Sequence, residues 1–286
     1  VEVETMTIAL LDADILTYRI GFTTQEEDIN IAKWRMDDLI QGILQSVQAD
    51  SYKAFLTGSK DTTAFRKQAY PEYKANRKAP RPIHYEALRE HLVSEHGASI
   101  STTIEADDAI GIDSYGNSNS VIVSIDKDLL QLPGLHYNFV KQEFKEQTEL
   151  NGIRFFYKQL LMGDKADNVK GVDKIGEVKS ERILENVDYN EEAWFTAVRE
   201  TYNNDEEMWM NGECLWILRT SFPQGTYSYH RLGSQLLHAV ETVPLYLQRQ
   251  NESSLDATIQ EISTDGLQQN GSSLEEHILK QEMHPL

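Results

Sequence analysis

The chain has 286 residues, a formal net charge of −19 and a single cysteine, Cys214, so it can bury a sizeable core but cannot build an intramolecular disulfide framework. No apolar run approaches the ~20 residues of a membrane span, and the acidic start Val1-Glu2-Val3-Glu4 is wrong for a signal peptide. The expectation is a cytoplasmic protein with no membrane partner. The charge also argues against a general nucleic-acid binder, whose footprint is basic, yet it is unevenly spread. Residues 60–89 carry eight Lys/Arg against three acids, a local +5, whereas residues 185–213 carry nine acids and one base.

Thr7 to Leu11 is a short apolar run without helical spacing and reads as a buried strand ending at Asp12. Asp14 then reads as the N-cap of a helix over Ile15–Ile20. Apolar positions at Ile31, Trp34, Leu39, Ile43, Leu44 and Val47 predict an amphipathic helix over Ile31–Gln48. Tyr52–Thr57 is a second strand, closed by Gly58, and a basic segment follows that breaks at Pro80-Arg81-Pro82. Tyr85–Glu95 reads as a helix ended by Gly97, Ile100–Ile104 as extended or loop, and Glu105–Ile112 as the start of another helix. Val121–Ile125 is the clearest buried strand and stops at Asp126; Leu135–Val140 is a further strand; Phe155–Met162 is helical. Glu177–Leu184 and Met208–Arg219 read as helices, and Leu232–Leu247 as the last one. Ser, Gln, Gly and Glu accumulate from Asn251 to Ser273, a composition that predicts weak order. Strands alternating with helices predict an α/β fold with a mainly parallel central sheet.

Carboxylates recur where such a sheet would gather them. Asp12 and Asp126 each follow an apolar strand, and Asp128 lies two residues beyond; ligands of open parallel sheets bind at the carboxyl ends of strands. Glu105-Ala106-Asp107-Asp108 puts Glu105 and Asp108 on one face of a helix start, and Asp164 and Asp167 are three residues apart, on one face of any helical turn. Singly, each is explained by turn chemistry or by the helix dipole. Together they are not, because two carboxylates ~4 Å apart repel by about 1 kcal/mol in water and up to ~4 at an effective dielectric of 20. Several such pairs would rival a domain stability of roughly 5–15 kcal/mol. Divalent cations would remove the repulsion, and oxygen ligands without a His or Cys cluster point to Mg²⁺ or Mn²⁺. Two such ions ~4 Å apart suit hydrolysis of a phosphodiester. The basic segment Phe65 to Lys78 adds the opposite charge: on a helix after Pro71, Lys74 and Arg77 share a face with Tyr73 beside it, a surface that can grip phosphates and stack on a base. Its bland reading is a solvated face.

In this order the motifs resemble the 5′ nuclease family, which includes flap endonucleases, phage 5′-to-3′ exonucleases and the 5′ nuclease domain of bacterial repair polymerases. Leu11-Asp12-Ala13-Asp14 with Tyr18-Arg19 resembles its first metal motif, Phe65-Arg66 through Arg77 its arch segment, and Glu105 to Asp108 with Asp126-Lys127-Asp128 its central acidic motifs. Gly163-Asp164 to Asp167-Asn168, then Gly171-Val172 and Ile175-Gly176, resemble its last metal pair leading into a helix–two-turn–helix element. The resemblance covers Thr7 to Leu184 and looks closest to the phage exonuclease branch. One departure stands at Thr57-Gly58-Ser59-Lys60-Asp61, where the family usually has an Asp just after the second strand. Either Asp61 substitutes, or the site has one ligand fewer.

The resemblance implies a PIN-like nuclease core over residues 7–168 with an arch or gateway at 60–82, a helical DNA-binding region at 169–220 and an extension over 221–286. Asp12, Glu105, Asp107 and Asp126 would mainly serve one metal, and Asp128, Asp164 and Asp167 the other, with Asp108 beside them. Lys74 and Arg77 would stabilise charge on the phosphate, and Tyr73 would stack near the 5′ end. Arg66, Arg81, Gly171, Val172, Lys174, Ile175, Gly176 and Lys179 would contact substrate, with carbonyls around Val172 and Ile175 able to hold K⁺. The implied activity is 5′-to-3′ exonuclease on duplex DNA with flap endonuclease and RNase H-like cleavage of RNA–DNA hybrids. The products would be 5′ phosphates and the setting primer removal in a phage-infected or bacterial cell, with the tail contacting a replication protein. Two rival readings are a structure-specific DNA-binding protein whose catalysis is impaired at Ser59, and an acidic-site ribonuclease of the toxin type.

Overall fold

A computed structural model describes residues 6–58 and 60–220, with the backbone alone at residues 60 and 61. The predicted helix at Leu232–Leu247 and the tail lie outside the described residues. Six strands form the sheet: β1 (Ile8–Asp12), β2 (Ser51–Thr57), β3 (Ser99–Ser101), β4 (Ser120–Val123), β5 (Gly134–Asn138) and β6 (Glu143–Gln147), in the order β3-β2-β1-β4-β5-β6. Every pairing is parallel except that of β5 with β6, which folds back as an antiparallel edge. β1 is central and almost fully buried, as a strand covered on both faces must be. Its side chains divide by the two-residue period of a strand. Ala9 and Leu11 join one cluster with Leu16, Met36, Ile40, Leu88 and Leu92, while Leu10 joins another with Phe55, Ile110, Ile122 and Ile217.

The first cluster is closed by α1 (Ala13–Thr23), α2 (Ile29–Val47) and, after the six-residue α3 (Ala64–Ala69), by α4 (Tyr85–His96). Asp28 caps α2, and Gly97 ends α4 in a left-handed conformation that glycine adopts without strain. The N-cap of α1 is Asp12, not Asp14: the Ile15 amide donates to Asp12 Oδ1 at 3.3 Å. Asp14, two residues on, instead accepts from the Thr57 amide at 2.8 Å and from Arg89 at 2.6 Å, tying α1 to the end of β2 and to α4.

The opposite face carries α5 (Ala106–Tyr115), and beyond the sheet edge lie α6 (Glu149–Met162), α7 (Glu177–Glu185), α8 (Glu191–Tyr202) and α9 (Asp205–Leu215). The chain leaves α6 through a two-stranded hairpin, β7 (Gly163–Asp164) with β8 (Val169–Lys170). Asp164 and Asp167 therefore sit on a strand and a turn rather than on a helical turn. Gly163 has φ +71°, and a Cβ there would stand 2.2 Å from the Gly171 amide nitrogen, so the hairpin closes only with glycine at that point. The basic segment is likewise not one helix. α3 ends at Ala69, and Lys74 has φ +57°, which stops helical geometry between Tyr73 and Arg77.

After α9 the chain runs extended along α5. The Leu218 carbonyl stands 2.2 Å from where a Cβ on Gly111 would be, so that glycine permits the approach. Buried polar groups knit this stretch to the core. Gln131 donates to the Leu215 carbonyl at 2.7 Å and accepts from the Ile217 amide at 3.2 Å. Arg66, 2% exposed, donates to the carbonyls of Cys214 and Trp216 and clasps both oxygens of Asp108 at 2.7 Å. Asp108 is fully buried, and its pairing with Arg66 is bidentate, the strongest geometry for such a pair. Removing one partner leaves a buried charge uncompensated, a loss of about 3–5 kcal/mol. Urea unfolding of Asp108→Ala should show a loss of that size, and a wild-type midpoint would exclude the clasp as a stabilising element.

Candidate metal centre and active site

The strand order reverses between β1 and β4, and the crevice beyond their carboxyl ends is where an open sheet of this order binds ligands. Asp12, the last residue of β1, accepts from Ser124 Oγ at 2.8 Å; that same Oγ receives the Asp126 amide at 3.0 Å. Asp126 is exposed at the mouth and caps the next turn, accepting from the Asp128 amide at 2.9 Å. Asp128 Oδ1 is held by Gln159 at 2.6 Å and by Lys127 at 3.1 Å. Lys127 reaches on to Asp164 Oδ2 at 2.8 Å. Burial, with repulsion from neighbouring acids, pushes the Asp12 carboxyl up to about 7 and Asp128 up to about 6. Asp164 is held below the carboxylate range instead. Burial would raise it, but Lys127 and the amides of Ala166 and Asp167 prevail.

Asp167 begins a second half of the site. Its Oδ2 lies 3.0 Å from the Tyr73 hydroxyl, which is also 2.9 Å from Glu105 Oε2. Lys74 pairs directly with Glu105 and lies 3.6 Å from Asp167, while Arg77 pairs with Asp167. Backbone contacts lock the same surfaces together: the Lys74 amide donates to the Asp167 carbonyl at 2.9 Å, Asn76 to the Lys165 carbonyl at 2.6 Å, and Asn168 to the Glu72 carbonyl at 2.8 Å. The turn at 70–77 is therefore docked on the turn at 163–168. Carboxylate oxygens of Glu105, Asp107 and Asp108 all come within 4.8 Å of one another. Burial and its two acidic neighbours push Asp107 well above the carboxylate range.

A hydrogen-bonded chain from Asp12 through Ser124, Asp126, Asp128, Lys127, Asp164 and Asp167 to Tyr73 and Glu105 links six of the expected carboxylates, with Asp107 beside Glu105. Three expected roles fail on burial. Arg66 has no surface to offer a phosphate, since all its nitrogens are used inside the protein. The Tyr73 ring is 2% exposed, so it positions Glu105 and Asp167 with its hydroxyl and cannot stack on a nucleotide. Both oxygens of Asp108 are committed, one to Arg66 and the Glu105 amide, the other to Arg66 and the Leu218 amide. Glu105 is held by Arg66 and Tyr73 at Oε2, but its Oε1 meets only the ammonium of Lys74, a side chain able to turn away, so Glu105 and Asp107 are the ligand-competent pair of that knot. The Asp61 side chain and Ser59 lie outside the described residues. Arg81 is exposed and paired with Glu86. Lys174, Gly176 and Lys179 are exposed around the start of α7, with Val172 and Ile175 half-buried beside them; Gly171 packs on the backbone of Met162.

Sequence reasoning missed Ser124, Lys127 and Gln159. Of these only Lys127 carried a signal, a cation set between two acids. Buried carboxylates in excess of their cations, raised by desolvation and by one another, are the donor set that a hard divalent ion takes, with oxygen ligands throughout. Asp12, Asp126, Asp128 and Asp164 would hold an ion in one half, and Glu105, Asp107 and Asp167 in the other.

Several known proteins are similar to this chain in sequence or in fold. The chain is 29% identical over 223 residues to a 5′-3′ exonuclease of Buchnera aphidicola subsp. Schizaphis graminum, covering 70% of this chain and 75% of that protein. It is 34% identical over 140 residues to the flap endonuclease Xni of Shewanella sp. (strain ANA-3), covering 43% of this chain and about half (54%) of the relative's length. In fold it is similar to the T5 5′-exonuclease with bound zinc, at a TM-score of 0.54 and 19% identity over 73% of this chain and 88% of that one. A T5 flap endonuclease in a pseudo-enzyme-product complex with DNA and metal ions gives a TM-score of 0.54 at 18% identity, over 72% and 87%. The family described as 5′-3′ exonuclease, N-terminal resolvase-like domain, matches residues 7–158, more than half of the sequence, and the chain therefore belongs to the 5′-3′ exonuclease family.

Proposed function

We propose that the protein is a divalent-metal-dependent nuclease that hydrolyses phosphodiesters of DNA at 5′ ends or flaps. The observation that carries this reading is the single crevice in which seven carboxylates from four separate segments meet, with Lys74 and Arg77 on its rim. Bound divalent ions would supply a nucleophilic water at neutral pH and offset the charge on the phosphate. The chain's own residues do the rest. Ser124, Gln159 and Tyr73 fix the carboxylates in rotation, so that their oxygens need no reorganisation when an ion binds. Lys74 and Arg77, which neutralise Glu105 and Asp167 here, are the cations able to turn towards a phosphate that enters the crevice. Exposed Lys174 and Lys179 around the N-terminus of α7 would hold the duplex backbone behind the cut, in the manner of a helix–two-turn–helix element, with K⁺ at the carbonyls of Val172 and Ile175.

The reading extends to Mg²⁺ or Mn²⁺ as the resident ions, to 5′-phosphate products and to RNA in RNA–DNA hybrids, which would suit primer removal. Residues 60–82 make a gateway of short pieces against the 163–168 turn, supported by the break of helix at Lys74. The resulting organisation is a core over 7–168 and a DNA-binding region over 169–220.

A 5′-labelled flap duplex should be cut in Mg²⁺ and left whole in EDTA. Binding of the duplex without cleavage in Mg²⁺ would sink the enzymatic reading and favour a structure-specific DNA-binding protein. Asp126→Asn and Asp164→Asn should each lower cleavage by about 10³-fold or more with the circular dichroism unchanged; wild-type rates in either would remove that residue from the metal centre. Lys74→Ala should lower kcat by about 10²-fold with a smaller change in KM, whereas equal loss in both would make it a simple phosphate-binding residue. Tyr73→Phe keeps the buried ring and loses only the hydroxyl, worth about 1 kcal/mol. It should lower kcat about tenfold and raise the Mg²⁺ concentration for half-maximal rate; an unchanged Mg²⁺ dependence would refute its positioning role.

A further inference from the structure

On the cluster side of the sheet, α2 and α4 bring together a second set of ligand-type side chains. His91 and His96, both on α4, aim their Nε2 atoms at the same oxygen of Asp37 on α2, at 2.6 and 2.8 Å. One ligand atom from each of the three lies within 4.8 Å of the others. The imidazoles are nearly buried, with side chains 10% and 12% exposed, whereas Asp37 is 47% exposed. The cluster is thus held firmly from inside and open to solvent on one side. Tyr52 sets the outer ring nitrogen of His96, its hydroxyl lying 3.0 Å from Nδ1. Tyr52 stands at the start of β2, while Thr57 at the other end of the strand contacts α5 beside the carboxylate crevice. Five residues at about 3.3 Å each put roughly 16 Å between the two places.

We propose that Asp37, His91 and His96 form a second metal site, separate from the nuclease centre, that takes a transition ion of the Zn²⁺ class and staples α2 to the C-terminal turn of α4. The donor set is the argument. Two imidazole nitrogens and one carboxylate, with a solvent-facing position for water, suit Zn²⁺, whereas the all-oxygen crevice suits Mg²⁺ or Mn²⁺. One protein would thereby sort two classes of ion at opposite ends of one sheet. Ligands ~2.0–2.1 Å from a tetrahedral ion stand about 3.3 Å apart, so the Asp37 oxygen, now 2.6 and 2.8 Å from the two Nε2 atoms, must move out by about half an ångström, and its exposure leaves it free to do so. An ion at Nε2 takes each imidazole as the neutral tautomer with its proton on Nδ1. On His96 that proton faces the Tyr52 hydroxyl oxygen, which accepts it, the outer hydrogen bond that metal-bound histidines characteristically make.

The test uses the full chain in excess Mg²⁺, with Zn²⁺ titrated against a chromophoric chelator and Co²⁺ as a spectroscopic probe. Wild type and Asp126→Asn should both bind one equivalent of Zn²⁺ that Asp37→Asn and His96→Gln lose. Co²⁺ in that equivalent should give the intense visible bands of a low-coordinate site with nitrogen ligands. Tm should rise with one equivalent of Zn²⁺ in wild type and Asp126→Asn but not in Asp37→Asn, because an ion that binds only the folded chain stabilises it. Asp37→Asn changes an exposed side chain and keeps an acceptor oxygen, so its fold can be checked by circular dichroism before titration. Equal Zn²⁺ stoichiometry and equal Tm response in wild type and Asp37→Asn would overturn the proposal, as would loss of the equivalent in Asp126→Asn with retention in Asp37→Asn.

Discussion

Like charge crowded at one end of a parallel sheet is the constraint to which this structure answers. Asp12, Glu105, Asp107, Asp126, Asp128, Asp164 and Asp167 come from segments far apart in sequence, and every fold that gathers them must meet both their repulsion and the desolvation of those that are buried. The protein meets it in three ways. Cations are brought in, with Lys127 between Asp128 and Asp164, and Lys74 and Arg77 against Glu105 and Asp167. Neutral donors are spent on fixed oxygens, as with Ser124, Gln159 and Tyr73. The remainder is expressed as raised carboxyls at Asp12, Asp107 and Asp128, and it is this remainder that makes the crevice receptive to hard divalent ions.

The same constraint explains why the basic turn at 70–77 is part of the site rather than an independent arm. Lys74 adopts a left-handed conformation that places its amide on the Asp167 carbonyl and its ammonium on Glu105. A residue that breaks the helix there allows Tyr73, Lys74 and Arg77 to converge on one carboxylate, which a regular helix would not. Arg66 works deeper, where it clasps Asp108 and holds the carbonyls of Cys214 and Trp216. A residue that pairs with the acidic knot is thus also the one that fastens the extended chain after α9, and stability and site geometry share a single buried guanidinium.

Behind the carboxylates, the hairpin of β7 and β8 joins the acidic crevice to α7. Gly163 and Gly171 pass so close that neither admits a side chain, and the Val172 amide is held by the Leu161 carbonyl at 2.9 Å. Asp164 therefore moves only with the turn that leads into α7. This rigid coupling between a cutting site and a backbone-rich turn with exposed lysines would set a fixed separation between a held duplex and a scissile bond.

Much of this was legible from the residues alone. The apolar runs at Thr7–Leu11, Tyr52–Thr57 and Val121–Ile125, each ending near an acid or a turn, determined a buried parallel sheet with carboxylates at its mouth, because hydrophobic periodicity and strand ends are local properties. The order of the acidic motifs determined the family. What only the tertiary structure decided was which of these polar groups face the crevice and which face the protein. Arg66, Tyr73 and Asp108 lie in motifs that read as functional, yet each is buried; Arg66 and Asp108 are held under the chain at 214–218, which lies 110 to 150 residues away in sequence, and Tyr73 lies under Glu105 and Asp167. Ser124 and Gln159 carried no signal, since a lone hydroxyl or amide acquires meaning only from its neighbour in space. The pairing of His91 and His96 with Asp37 is of the same kind: i to i+5 on one helix and 54 and 59 residues from the carboxylate, it exists only because α2 and α4 pack side by side on the same face of the sheet.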